Sequence, residues 1–199
     1  MAIVLTLDQR GSRGAGDRVA EWADAMNQLY ASSMRLPFVR TAGDEIQGVL
    51  GKAEALPDIV VRAVEDGAWW IGVGLGPVER MGATARDSQG PAFWHARQAV
   101  ETAKKNSSSQ PVAVAGEPHD AADALGSTLG ALAFLSDRRT PEQQESVRLL
   151  RLGLKNKEIA AELNVTPPAI SQRLRGAGAD EEAGLRRLAV SIARKVVDP

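Results

Sequence analysis

The chain has 199 residues, enough for one large or two small domains, and no cysteine, which excludes a disulfide framework and thiolate chemistry. Its formal net charge is −1, so no overall basic field marks it for nucleic acid. The two ends differ, however: residues 138–199 carry 12 Lys/Arg and 8 Asp/Glu, a net of +4, and residues 1–137 carry 12 and 17, a net of −5.

Ala2 to Leu7 is an apolar run that predicts a buried strand ending at Asp8. It is too short for a signal sequence, and no stretch approaches the ~20 apolar residues needed to span a bilayer. The expectation is a cytoplasmic protein with no membrane partner. A loop with Gly11, Gly14 and Gly16 follows. Asp17 suits the cap of a helix from about Arg18 to Ser32, where Val19, Trp22, Ala23, Met26, Leu29 and Tyr30 recur at three and four. Leu36 to Leu50 holds two extended runs around Gly43-Asp44, the pattern of a β-hairpin.

A short helix from about Leu56 to Glu65 ends near Asp66-Gly67. Ala68 to Leu75 predicts another strand, Pro91 to Lys105 a helix, and Val112 to Gly116 a last strand. The order predicts an α+β protein with a ferredoxin-like βαββαβ unit, extended by one helix and one strand, with helices over one face of the sheet. Ala121 to Leu135 reads as a connecting helix, and Ser136 to Gln143 as a polar hinge. The expected division is residues 1–117 for the sheet domain, 118–137 for the connector and 138–199 for an all-α module.

That module carries the strongest functional signal. Asn156 to Arg175 reads as helix, tight turn and helix. Ile159, Ala160 and Leu163 form the first apolar stripe. Asn164 tolerates the left-handed backbone a sharp turn needs. Thr166 suits the cap of the next helix and Pro167 its first turn. Ile170 and Leu174 face inward, leaving Pro168, Ser171, Gln172 and Arg175 for the outer face. In a helix-turn-helix that face enters the major groove of double-stranded DNA. Thr166, Pro168, Ser171, Gln172, Arg173 and Arg175 are therefore the expected DNA contacts, with Arg173 and Arg175 on phosphates. A plain helical hairpin shares the apolar spacing but does not require the turn, cap and polar face together. A basic module on an acidic body suits a DNA-reading tail.

The chemistry-bearing residues of the first domain lie at strand ends. Asp8 ends the first strand, and Asp44 and Glu45 occupy the hairpin turn. In a ferredoxin-like sheet these acids sit at one edge, where Asp8 and Asp44 would suit Mg²⁺. Gly11, Ser12 and Arg13 would offer backbone N–H groups and charge to phosphates. The alternative is a favoured turn pair and a helix-initiating acid, with Arg10, Arg13 or Arg40 as a salt-bridge partner. Gly72, Gly74 and Gly76 open no helix, so they read as strand glycines rather than a dinucleotide fingerprint. His95 and His119 are isolated, and Trp69, Trp70, Phe93 and Trp94 read as core or interface.

LDQRGSR (Leu7 to Arg13), RTAGDEIQG (Arg40 to Gly48), IGVGLG (Ile71 to Gly76) and GPAFWHAR (Gly90 to Arg97) resemble the recurring blocks of the SatD family. The C-terminal TPEQQ…GLKNKEIAAELNV…ISQRL is similar to the helix-turn-helix that ends many SatD-like bacterial proteins. More distantly, the first domain resembles class III nucleotidyl cyclases and GGDEF-type diguanylate cyclases. That resemblance implies metal ligation by Asp8 and Asp44 and nucleotide contact by Arg97. Trp94 occupies the place of the cyclase Asn, and Arg97 falls one residue early; both departures speak against cyclase catalysis and leave metal or nucleotide binding open. The combined expectation is a homodimeric transcriptional regulator whose sheet domain serves for dimerisation or for sensing a small ligand such as a nucleotide. The rival is a metal-dependent nucleotidyl cyclase or nucleotide hydrolase located by its tail.

Overall fold

A computed structural model describes residues 1–11, 16–106 and 110–197. Five strands form one mixed sheet in the order β2-β3-β1-β4-β5. The central strand β1 (Ala2–Gln9) is antiparallel to both β3 (Glu45–Leu50) and β4 (Trp69–Gly76). β2 (Met34–Ala42) is antiparallel to β3, and β5 (Val112–Gly116) runs parallel to β4 at the edge. Ala42 and Glu45 close the hairpin across Gly43-Asp44, with Gly43 at a φ of 53° that suits glycine.

The alternation of β1 divides the core. Ile3, Leu5 and Leu7 face a large apolar cluster built with α1 (Val19–Tyr30), α2 (Leu56–Asp66) and α4 (His119–Asp137). Ala2 and Val4 face a smaller cluster with α3 (Pro91–Lys105), through Ala92, Phe93 and Ala96. Helices therefore cover both faces, not one as expected. The glycines of β4 explain this. A Cβ on Gly72 would stand 2.2 Å from the Ala96 carbonyl oxygen, and one on Gly74 2.1 Å from that of Ala92. Their hydrogens let α3 lie directly on the strand backbone.

α4 is two residues longer at each end than the sequence predicts. The polar run after it is exposed at Asp137, Arg138 and Thr140 to Glu142 but anchored at two points. Ser136 and Arg139 are buried, because the Arg139 guanidinium reaches Glu182 at 2.5 Å and Glu65 at 3.7 Å.

Four C-terminal helices follow: α5 (Pro141–Arg151), α6 (Asn156–Glu162), α7 (Pro167–Gly176) and α8 (Ala179–Val197). α5 starts with a capping box between Thr140 and Gln143. Val147, Leu149, Ile159, Ala160, Ile170 and Leu174 give α5, α6 and α7 a small core of their own. α8 behaves differently. Ala189, Ala193 and Val196 join the large core beside the sheet, with Leu185 and Ile192 packed against it. Its apolar stripe is thus claimed within the chain, and Leu188 alone of that stripe stays exposed. Among the described residues, no helix is long and apolar enough to cross a membrane.

Ion pairs tie the C-terminal helices to the body. Arg151 lies 2.9 Å from both Glu65 and Glu182, Arg186 lies 3.1 Å from Asp58, and Arg194 Nε donates to Glu54 at 2.8 Å. Part of the charge contrast between the two halves is therefore consumed inside the molecule. Burial alone would push the Glu182 carboxyl up, but hydrogen bonds and charge from Arg151 and Arg186 hold it down to about 2.

Candidate functional site

Two places bring together the residues singled out by the sequence. The first is the outer face of α7. Asn164 takes a φ of 51°, the left-handed conformation expected of the turn residue. The Thr166 hydroxyl accepts from the Ala169 N–H at 3.4 Å, and Pro167 begins the helix. Ile170 and Leu174 are buried against α5 and α6. Thr166, Pro168, Gln172 and Arg175 are exposed, with exposed Lys155 and Lys157 at the start of α6.

Ser171 departs from the outward placement expected of it, and Arg173, expected on phosphates, is only partly exposed. The Asn156 amide donates to Ser171 Oγ at 3.1 Å, and that hydroxyl donates back to the Pro167 carbonyl at 3.2 Å. This half-buries Ser171 between α6 and α7. Arg173, also half-buried, turns toward α5, where its charge helps depress the Glu142 carboxyl behind the larger effect of the Thr140 hydroxyl. The outward stripe is thus one of Thr166, Pro168, Gln172 and Arg175.

The second place is the β1 end of the sheet. Asp8 stands directly opposite Glu45 across the antiparallel pair, and Asp44 precedes it in the turn, its carbonyl accepting from the Gln9 N–H at 3.2 Å. The three acids gather at one sheet edge. Burial pushes the Asp8 carboxyl above its ordinary value, and the charges of Asp44 and Glu45 push it further. Lys104 works against them, with its ammonium 2.7 Å from Asp8 and 2.8 Å from Glu101. Arg97, more than half exposed, lies 3.9 Å from Glu45, whose carboxylate also accepts from Thr41 Oγ1.

Among the described residues, the neighbour of Asp8 is therefore Lys104, and neither Arg10 nor Arg40 pairs with it. Arg40 pairs with Asp17 at 2.6 Å. Arg10 stacks over Trp70, 3.8 Å from the ring centre, and donates to the Trp69 carbonyl. Ser12 and Arg13 lie outside the described residues, and Gly11 is exposed at a φ of 63°. Among the described residues, no three His, Cys, Asp or Glu side chains are grouped to hold a metal ion. Asp8 offers a carboxylate whose cation position is taken by an ammonium.

Lys104 has no local signature in the sequence. Its placement follows from the β4 glycines. Gly74 rests on Ala92 and Ala96, and Gly72 on Ala96 and Val100, so α3 runs antiparallel along β4. One further turn sets Lys104 over Trp70, the β1 partner of which is Asp8.

The molecule is an α+β protein with a five-stranded mixed sheet and a many-helix C-terminal region. The SatD family model matches residues 9–189, and the chain belongs to the SatD family. No curated protein and no solved structure matches it.

Proposed function

We propose that this SatD-family protein is a DNA-binding transcriptional regulator whose helix-turn-helix comprises α6 and α7. The observation that carries this reading is the α7 surface. A Thr-capped helix with a buried Ile170–Leu174 face presents Thr166, Pro168, Gln172 and Arg175 outward, beside exposed Lys155 and Lys157. Gln172 has the chemistry to read an adenine edge in the major groove, and Arg175 and the lysines to hold phosphates. A single motif makes few contacts, so the active form is a homodimer on a two-fold operator. The protein works in the cytoplasm.

The four strands β2-β3-β1-β4, antiparallel throughout, support reading the body as a ferredoxin-like, cyclase-related unit extended by α3 and β5. In domain terms, the body spans residues 1–137 together with α8, and the DNA module spans residues 138–178. The body's role is to sense a small ligand. The cluster of Asp8, Asp44, Glu45, Lys104 and Arg97 supports this, because acids and bases side by side suit a Mg²⁺-bound nucleotide. The metal would displace Lys104 from Asp8, and Lys104 and Arg97 would then be released toward phosphates. That Lys104 already satisfies Asp8 favours sensing over a cyclase or nucleotide hydrolase.

Selection of bound fragments from a pool of genomic duplexes, followed by footprinting, tests the regulator reading. A protected, two-fold symmetric site whose protection disappears in Gln172→Ala supports it. Protection that is uniform along all fragments and unchanged by Gln172→Ala removes sequence recognition by α7.

A further inference from the structure

The helix α4 buries one face in the core, and among the described residues nothing covers the opposite face. Leu125, Leu129, Leu132 and Ser136 point inward. Asp123, Ser127, Gly130, Phe134 and Arg138 follow one another at spacings of four, three, four and four along the outside, a single stripe. Phe134 is 56% exposed, and the Arg138 guanidinium stands 5.0 Å from its ring centre. Beside the stripe, α4 and Val114 of the edge strand β5 flank a groove of about 650 Å³.

Gly130 is unexplained by the fold of one chain. A glycine inside a helix is destabilising relative to alanine. A Cβ built there meets nothing within 4 Å, so nothing among the described residues excludes one. Close approach of a second helix would.

The stripe is complementary to itself. When two copies of α4 cross antiparallel about the Gly130–Ala131 midpoint, Asp123 of each meets Arg138 of the other. Phe134 of each lies over Ser127 of the other, and the glycines meet at the crossing. An acid at one end, a base at the other and a small centre is the pattern that a two-fold helix pair requires, because each contact is then made twice. The cation–π stack of Arg138 on Phe134 aims both groups along this face.

We propose that α4 is the homodimer surface of this protein, with a second copy of the chain seated antiparallel on Asp123, Ser127, Gly130, Phe134 and Arg138. Phe134 of each copy enters the other's groove between α4 and β5. The contact lies outside the α7 surface, so it leaves both reading heads free. It deepens the regulator reading by giving its homodimer a surface, but it is tested without DNA, so either reading can fail alone.

Sedimentation velocity of the intact chain at micromolar concentration tests it. The expected wild-type species has twice the chain mass. Gly130→Leu should be monomeric with an unchanged circular dichroism spectrum, because the single chain has room for the side chain. Asp123→Arg and Arg138→Asp should each weaken association at least tenfold, and the double charge swap should restore it. A monomeric wild type overturns the proposal. So does a dimer that persists in Gly130→Leu and in both charge variants, which would place the partner copy on another surface.

Discussion

The Lys104 ammonium lies 2.7 Å from the Asp8 carboxylate, although the two residues belong to different elements nearly a hundred positions apart. One β1 strand end thus collects three acids, Asp8, Asp44 and Glu45, with Lys104 against Asp8 and Arg97 against Glu45. Burial raises the Asp8 carboxyl, and Lys104 limits the rise. Burial alone would lower the Lys104 ammonium, but Asp8 and Glu101 hold it above its ordinary value. Lys104→Met should therefore drive the Asp8 pKa further up and cost about 1–2 kcal/mol at neutral pH. Carboxyl ¹³C titration and thermal melts measure the two effects. An unmoved Asp8 titration would show that the pair has no electrostatic role.

Ligand binding at the same place has a separate signature. Titration calorimetry with Mg²⁺ and ATP or GTP should give heat that is lost in Asp8→Asn and in Asp44→Asn. Lys104→Met should retain binding of Mg²⁺ alone, or strengthen it, because the competing ammonium is gone. Heat that survives both Asn substitutions would place any nucleotide site elsewhere.

Glu182 joins Arg139, Arg151 and Arg186 at the junction of body and tail. Its pKa is lowered from 4.5 to about 2. A depressed carboxyl contributes stability that is complete above its unfolded value and is lost as pH falls through the folded one. The contribution, on the order of 3 kcal/mol, is full above about pH 4.5 and disappears toward pH 2. Asp58, also held low against burial by Tyr30, Arg186 and Arg62, adds in the same direction. Glu182→Gln should cost about 3 kcal/mol at pH 7, since it leaves buried guanidinium groups underpaired. It should also flatten the acid limb of the stability profile. Thermal melts from pH 7 to pH 3 check both, and an acid limb as steep as wild type would remove Glu182 from the account.

The contact of α3 with β4 leaves no room for a methyl group. Gly74→Ala should cost at least the ~1–3 kcal/mol typical of overpacking, because the obstruction is helix backbone rather than a movable side chain. The shift should also pull Lys104 off Asp8, so the Asp8 titration changes together with the melt. Gly130→Ala, in open space, should instead raise the melting temperature of the isolated chain.

Much of this fold was legible as local pattern. The hairpin around Gly43-Asp44, the Pro91–Lys105 helix, the Val112–Gly116 strand and the Asn164–Thr166 turn all follow from turn chemistry, caps and apolar period. What was not legible depends on which elements pack. The three glycines of β4 announced a close approach but not its partner, so α3 on the second face was missed. Lys104 was missed with it, because an exposed-looking lysine in a last helical turn carries no spacing signal. That Ala189, Ala193 and Val196 of α8 pack into the sheet core was not legible either. Within the Ser136–Gln143 run the burial of Arg139 was not legible, because an arginine reads as exposed until its acids, Glu65 and Glu182, are known. Ser171 fell on the wrong side for a similar reason, and Arg173 is only partly exposed. Half a turn of helix separates a groove-facing side chain from one facing α5 or α6.

On α7 the side chains divide by exposure, and their substitutions should divide in the same way. Gln172→Ala should weaken binding to the preferred site by about 1–3 kcal/mol and relax its sequence preference. Arg175→Ala should weaken all duplexes alike. Arg173→Ala and Ser171→Ala should act mainly on folding stability, with Ser171→Ala loosening α6 from α7. Parallel melts and binding curves separate the classes. Equal effects of Arg173→Ala and Arg175→Ala on duplex affinity would contradict the division.

The most direct measurement is fluorescence anisotropy of labelled genomic duplexes with the intact protein at two salt concentrations. The protein should bind at low salt, with affinity that weakens steeply as salt rises. The logarithmic slope should shrink by about one unit per protomer in Arg175→Ala, as loss of a phosphate contact requires. An intact, folded protein that binds no duplex at low salt would contradict the regulator reading outright.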